Sequence, residues 1–597
     1  GRQLAGMFSP LVCQRKLTAG LRSTRKSIVT STRQDAVGQS SLILRPPEQV
    51  MRLERMGSAF QTRISFMRSL VRRMHREAWI IEQTRFDLDD DGFGVAVYRV
   101  CGPERSYSLV AFANPLDDDQ RTDRVIAEAW DASFVLYDGV PSDEDIARLA
   151  LGTPRQEAGR FEGSELVLSR ANRSMRLFDY VCTSLAAGVQ PDIARLSEVG
   201  YLMRTTAVYG NGKFGVGDRI KIADRPELAG PFQAELLTVY LIRCFTLDQV
   251  EHVAKARSSG QFVPLERSRK RFLGIGNATG LGMAPFLVTH PDLIHRWAYA
   301  RESALARVRQ VEEATPEKID RFWALLARAR QHLDEWQVED SRQHASILET
   351  RSGVARISEW VSGADSPLVE KQPWDRLYQM AEAHLSVESQ EFLVSLLIEL
   401  YPELVDELEA TLSSLGRSSI DARQSMHELR STIERDYGWA LEIDFERPGS
   451  QQHFWYTSAN KLEPRFGDRY SVVGAAREMP LAIARDVQQL YRQLKVTGDA
   501  VSLAQYLLSH PEHRHVVRRI QANAINTYGE VQDNLIDEAC LPLHLLRYKL
   551  AFFGASKFDP KSSLWTRITL FQGAPLVDEL HGEDADDWCF PIAPAAH

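Results

Sequence analysis

The chain has 597 residues, 44% of them hydrophobic and 25% charged, with a formal net charge of -8 and a pI near 6.1. That length exceeds one hydrophobic core and predicts about two to four domains of a soluble protein, while the acidic balance excludes a general nucleic-acid binder, which needs clustered Lys and Arg against phosphates. Six cysteines (Cys13, Cys101, Cys182, Cys244, Cys540 and Cys589) without CxxC spacing exclude a zinc ribbon or disulfide scaffold and fit free thiols in a cytoplasmic setting, and no apolar run approaches the roughly 18–20 residues that span a bilayer.

Residues 1–50 hold eight Lys/Arg against the two acids Asp35 and Glu48. They read as a disordered basic tail; a targeting segment, a cloning remnant, or sequence upstream of a start at Met51, Met56 or Met67 are the alternatives. From Phe60, the residues Phe60, Ile64, Met67, Val71 and Met74 share one helical face. Arg63, Arg68, Arg72, Arg73 and Arg76 lie elsewhere on that helix, whose apolar stripe is expected to pack on the domain in preference to a membrane surface.

Residues 78–137 predict strands at Ala78–Phe86, Phe93–Cys101, Tyr107–Ala113 and Ser133–Tyr137, from Val, Ile, Tyr and Phe broken by polar turns. Asp87–Gly92 matches the first half of an EF-hand loop, but the twelfth position is Tyr98 where a bidentate glutamate is required. A hairpin turn is the better reading. From about 143 to 257 the pattern predicts helix, with Leu236, Leu237, Tyr240, Leu241 and Phe245 as a stripe. Residues 290–435 predict helix throughout, broken near Thr315-Pro316, Ser362-Gly363 and Gly416. Strand character returns at Trp439–Phe445 and His453–Ser458.

Three landmarks recur at nearly constant separation. Ala113-Asn114, Asp123-Arg124 and Lys213 are matched by Ala459-Asn460, Asp468-Arg469 and Lys557. The expected architecture is therefore α+β, with two diverged strand-then-helix repeats built on antiparallel sheets and a mainly helical segment inserted between them. The boundaries that follow are 1–50 for the tail, 51–300 for the first unit, 301–435 for the helical segment and 436–597 for the second unit.

Tyr209-Gly-Asn-Gly-Lys-Phe-Gly215 is the stretch with most chemical promise. Glycines let successive N–H groups point to one side and form an anion-binding concavity. Lys213 adds a point charge there, and Arg204 and Arg219 flank it as donors for a carboxylate, sulfonate or phosphate. GxxxxGK[ST] spacing is absent, and a tight turn with Lys213 in solvent is the alternative. The second stretch, Gly274–Phe286, lacks a preceding strand for a dinucleotide fold. It reads either as a substrate loop, in which Asn277 and Thr279 hydrogen-bond a ligand, or as a close crossing of backbones.

Asp123 is the candidate general base, and His290 and His295 follow the second glycine-rich stretch as acid/base candidates. His510-Pro-Glu-His513-Arg-His515 lacks a metal-ligand spacing, so no metal site is expected. No cofactor is specified. The sequence thus points to an enzyme that binds a small anionic metabolite through Arg204, Asn211, Gly212, Lys213, Arg219, Asn277 and Thr279, with its reaction class unspecified. The alternative is a non-catalytic assembly protein whose helical segment docks a protein partner. A homodimer is the default assembly for such a chain.

Overall fold

The computed structural model describes residues 42–595 except 58–59, 118–128, 154–162, 211–223, 229, 281–290, 414–418, 445, 447–482, 533–543, 545–546, 548–549 and 563–564. Nine strands lie within these residues: β1 Ile80–Leu88, β2 Gly94–Cys101, β3 Ser106–Ala113, β4 Ala132–Asp138, β5 Glu165–Arg173, β6 Tyr201–Gly210, β7 Gly274–Gly280, β8 Phe558–Ser562 and β9 Trp565–Leu570. They form one sheet in the order β1-β2-β3-β4-β5-β6-β7-β9-β8. Neighbours pair antiparallel except β6 and β7, which run parallel. Parallel neighbours need a long crossover, and the Gln233–Arg257 helix lies within it.

The first hairpin forms as its turn chemistry predicts. Asp89 Oδ1 accepts from Asp91 N at 3.1 Å and Phe93 N at 2.8 Å. Gly92 takes φ +80°, a conformation that side-chain-bearing residues resist. Alternation then splits the strands between two cores. Ala96, Tyr98, Leu109, Ala111, Phe134 and Leu136 join the main core with the crossover helix. Val97, Val110, Phe112, Val135 and Leu168 face a smaller core with Ile146 and Leu149 of the Asp143–Gly152 helix. β1 carries Glu82, Gln83, Arg85 and Asp87 along the open edge, where charge discourages pairing with another chain.

The α+β expectation holds, with a mostly antiparallel sheet and many helices. Three local expectations are corrected. Residues 143–257 contain β5 and β6 as well as helices, because the period-2 stretches there are short and flanked by helices. Gly274–Gly280 is a strand and not a loop. Trp439–Phe445 was expected as a strand, but Gly438–Leu441 is a helical turn in a small helical core with Met426, Leu429, Val487 and Ile520. His453–Ser458 lies outside the described residues. Among the described residues, strands from both ends of the chain share a single sheet, six from residues 80–210 and two from 558–570.

The helix expected near residue 60 is Phe66–Arg76, and Phe60, Ile64, Met67, Val71 and Met74 enter the main core. The arginines are the surprise: Arg68 and Arg72 of this helix, and Arg63 three residues before it, are buried too. Their partners are acids from the helical segment and the C-terminal segment. Arg68 bonds Glu399 at 2.7 Å and Asp586 at 3.0 Å. Arg63 reaches Glu399 at 3.2 Å and also pairs with Asp406, and Arg72 pairs with Glu409. Burial alone would raise the Asp586 carboxyl, but Arg68, Arg72 and Arg63 hold it down at about 2.

Glu399→Gln leaves two buried guanidiniums short of a counter-charge, which typically costs about 3–5 kcal/mol. Urea unfolding monitored by circular dichroism should show a loss of that size. A change within about 0.5 kcal/mol would mean that Asp406 and Asp586 suffice alone.

Candidate functional site at the parallel strand junction

β6 begins where the short Ile193–Val199 helix stops at Gly200, whose φ of +77° gives a left-handed C-cap. Tyr201, Leu202 and Met203 then run buried into the sheet. Gly200 O accepts from Gly274 N at 2.9 Å, which starts β7 beside β6. Arg243 of the crossover helix donates to Leu273 O at 2.7 Å and to Ala574 O at 2.9 Å, fixing the entry of β7 against the C-terminal segment.

The glycines of β7 are needed for close packing. A Cβ on Gly274 would lie 2.3 Å from Leu570 O, and one on Gly276 would lie 2.7 Å from the Tyr201 ring. The sequence left a ligand loop and a close crossing of backbones as alternatives for this stretch; Gly274 and Gly276 serve the crossing.

In register, Arg204 faces Gly276 and Thr205 faces Asn277. Asn277 Nδ2 donates to Thr205 Oγ1 at 2.9 Å, and Thr205 Oγ1 donates to Gly276 O at 3.2 Å. Strand alternation puts Arg204 on the face opposite Thr205 and Asn277. Both Arg204 and Asn277 are buried. The two therefore do not converge on one ligand within the sheet, although the sequence grouped them. Thr279 occupies a β7 position opposite Thr566 of β9.

What the junction does bring together is the exits of the two strands. β6 ends at Gly210 and β7 at Gly280, adjacent and pointing the same way, so both glycine-rich connections leave the sheet at one end. Asn211, Gly212, Lys213 and Arg219 follow the first exit and His290 the second; all five lie outside the described residues. The chain returns at Asp224, still at that end, against the β2–β3 turn and the end of β4. There Arg105 Nη2 donates to Asp224 at 3.0 Å, Arg225 Nε donates to Asp138 at 3.1 Å, and Glu227 accepts from Arg105 N at 2.9 Å and Tyr107 Oη at 3.2 Å. Although burial lowers it, the Arg225 guanidinium is raised overall by Asp138 and Asp224. The sequence reading missed this charged rim; its signal was the run Asp218-Arg219 through Asp224-Arg225.

The other proton-transfer candidates lie elsewhere. Asp123 is outside the described residues, in the β3–β4 connection, whose two ends sit at the opposite end of the sheet. His295 accepts from Tyr528 N at 3.1 Å and stacks on the Tyr528 ring at 6.0 Å. Burial lowers its pKa, so it is neutral and tied to that tyrosine at neutral pH. Among the described residues no three His, Cys, Asp or Glu side chains are placed to hold a metal ion, and Cys101, Cys182, Cys244 and Cys589 are free thiols.

The second glycine–lysine loop leads into β8 and so sits at the end of the sheet opposite Gly210. Ser556 N donates to Thr569 O at 3.1 Å, and the Lys557 ammonium lies 5.9 Å from the Phe272 ring centroid. Burial pushes Lys557 down to about 8.

Gly276→Ala should destabilise the protein by about 1–3 kcal/mol through overpacking, and adding Tyr201→Ala should recover part of that loss. A double-mutant cycle in urea measures the coupling, and a neutral Gly276→Ala would remove the packing explanation. Lys557 carries a penalty for its protonated form that is fully present below its folded value of about 8 and relieved as pH rises toward the ordinary 10.5. Lys557→Met should therefore be more stable than the parent at pH 7, with the gap closing by pH 10. Urea midpoints at the two pH values read it, and a constant gap would refute the assignment.

Among the described residues no helix is long and apolar enough to cross a membrane. Comparison with known protein families, with curated proteins and with solved structures found no match to this chain.

Proposed function

We propose that the protein is an enzyme acting on a small anionic metabolite (a carboxylate, sulfonate or phosphate) bound at the exits of β6 and β7. The parallel pairing of these two strands supports this reading most strongly. Open sheets bind ligands in the crevice outside the carboxyl ends of parallel strands, and here both such ends feed glycine-rich, polar connections. Lys213 and Arg219 supply the charge in this reading, with Asn211 and the Gly212 backbone as hydrogen-bond donors. Thr279 sits one residue before the second exit, and His290, ten residues past it, is the acid/base residue best placed by sequence. Asn277 braces the two strands beneath the site through Thr205, and Arg204 lies on the other face of β6. The rival reading, a docking surface on residues 301–435, has less support, because the large exposed apolar residues described there are Leu348 and Val369, and isolated exposed residues of this kind are normal.

A thermal-shift screen against organic acids, phosphates, sulfonates, nucleotides and acyl-CoAs tests the proposal. A ligand at a hundred times its Kd should add about 2.7 kcal/mol of stability, and Lys213→Ala should abolish the shift. No hit, or a hit indifferent to Lys213, would favour the assembly reading.

A further inference from the structure

The stretch His510-Pro-Glu-His513-Arg-His515 has no part in the proposed site, and it folds around a buried imidazole. His513 closes a short 3₁₀ turn, Pro511–His513, between the Leu503–Ser509 and Arg514–Ile525 helices. It is 4% exposed. Tyr506 and Leu507 before it, and Val516 and Val517 after it, belong to the small helical core. His513 Nδ1 and Tyr506 Oη share a hydrogen bond at 2.5 Å. The other ring nitrogen, Nε2, is buried and has no hydrogen-bond partner among the described residues. The His513 ring stacks against Tyr506 and against His510, each at 5.8 Å between centroids and 21° between planes. His510 and Tyr506 are themselves 4.7 Å apart.

This arrangement suits the uncharged ring alone. A neutral imidazole has one N–H and one lone pair, and the Tyr506 hydroxyl serves whichever of the two Nδ1 presents. An imidazolium has an N–H on both nitrogens. Nε2 would then be a buried donor without an acceptor, on a charged ring shut off from water, and both conditions are costly. The carboxylates that act on His513 are Glu512 of its own turn and Asp486 of the Ile483–Thr497 helix. Each already faces another histidine: Glu512 lies 3.2 Å from His510 Nδ1, and Asp486 lies 3.1 Å from His515 Nε2. His510 and His515 gain charge in the same pH range and repel a charged His513. Arg514, the remaining cation of the turn, donates from Nε to Leu507 O at 3.2 Å. Burial lowers the His513 pKa; Glu512 and Asp486 oppose that shift, while His510 and His515 add to it. Burial raises the Tyr506 hydroxyl, which therefore stays neutral and supplies no counter-charge.

We infer that the Tyr506–His513–His510 stack is an acid-operated latch: on taking up a proton His513 parts from Tyr506 and frees the Leu503–Ser509 helix, while the sheet stays folded. That helix has seven residues, too few to persist without tertiary support. Leu503, Tyr506 and Leu507 are its residues in the helical core, so the stack is a large part of what holds it. The helical core is also separate from the two cores that line β2 to β4, which lets one open without the other. The released imidazole binds its proton near the ordinary 6.5 and the latched one lower. The latch is therefore fully favoured above 6.5 and is lost as pH falls from there toward the latched value. One proton makes opening up to about tenfold easier per pH unit across that window. The device is independent of the reading of the β6–β7 exits.

The test is hydrogen exchange of the full chain at pH 7 and pH 5, corrected for the intrinsic pH dependence of amide exchange. The opening constant of peptides within residues 503–520 should rise about tenfold at pH 5, while peptides from β2 and β3 should keep theirs. His513→Phe keeps a ring in the stack but takes no proton, so it should lose the rise. An unchanged opening constant in the parent would overturn the inference. So would an equal rise in the sheet, or a His513→Phe protein with the parent's rise. If His513→Phe does not fold, NMR of the histidine-labelled parent decides. Protonation of His513 below 6.5, in step with shifts of the Tyr506 and Leu507 amides, supports the latch. Protonation at or above 6.5, or without those shifts, refutes it.

Discussion

An arginine carried into a protein interior ordinarily needs a counter-charge there, and among the described residues one helix supplies three of them. Val387–Leu400 presents Glu388, Glu391 and Glu399 inward. They meet Arg547, then Arg45, Arg55 and Arg301, then Arg63 and Arg68. Such pairs add little net stability, because desolvation offsets their attraction, but breaking one is costly. Their effect is therefore on geometry. Each pair joins residues far apart in sequence, and a shift of the N-terminal segment by one residue would strand several charges at once. The same helix thereby fixes the place of Phe66–Arg76 through the Arg68–Glu399 pair.

The junction of β6 and β7 is where the sheet changes character. On one side every connection is a return to an antiparallel neighbour; on the other, the crossover helix resets the direction. Small residues permit this. Gly274 and Gly276 let β7 fit between Tyr201 and the backbone of β9, and Arg243 donates to five carbonyls around the entry of β7. A strand with larger side chains would separate the two exits on which the proposed site depends.

Much of the sheet was legible in the sequence. β1 to β4 carry β-branched and aromatic residues in alternation between strong turn signals, so the chain announces them. β5 and β6 did not stand out, because short helices flank them and Leu202-Met203 suits either conformation. β7 was illegible for a clear reason: Gly-Ile-Gly-Asn-Ala-Thr-Gly has the composition of a loop, and only its neighbours make it a strand. The burial of Arg68 and Arg72 was not legible, since acids more than three hundred residues away cannot be seen from a local pattern. Of the candidate residues, the pairing of Thr205 with Asn277 and the removal of Arg204 to the other face follow from register, which the sequence does not display.

The place of β9 between β7 and β8 has a consequence for how the sheet is completed. During synthesis β6 and β7 can pair once residue 280 has emerged, but the partner of β7 on its other side is not made until residue 565. At about 5–20 residues per second, β7 presents an open row of N–H and C=O groups for roughly 15–60 s. An unpaired edge of that kind invites pairing with other chains. The strand left waiting is also the one least suited to recruit a stranger, because interior glycines weaken a strand that has no tailored neighbours. The residues that let β7 fit between Tyr201 and β9 would thus also keep it quiet until β9 arrives.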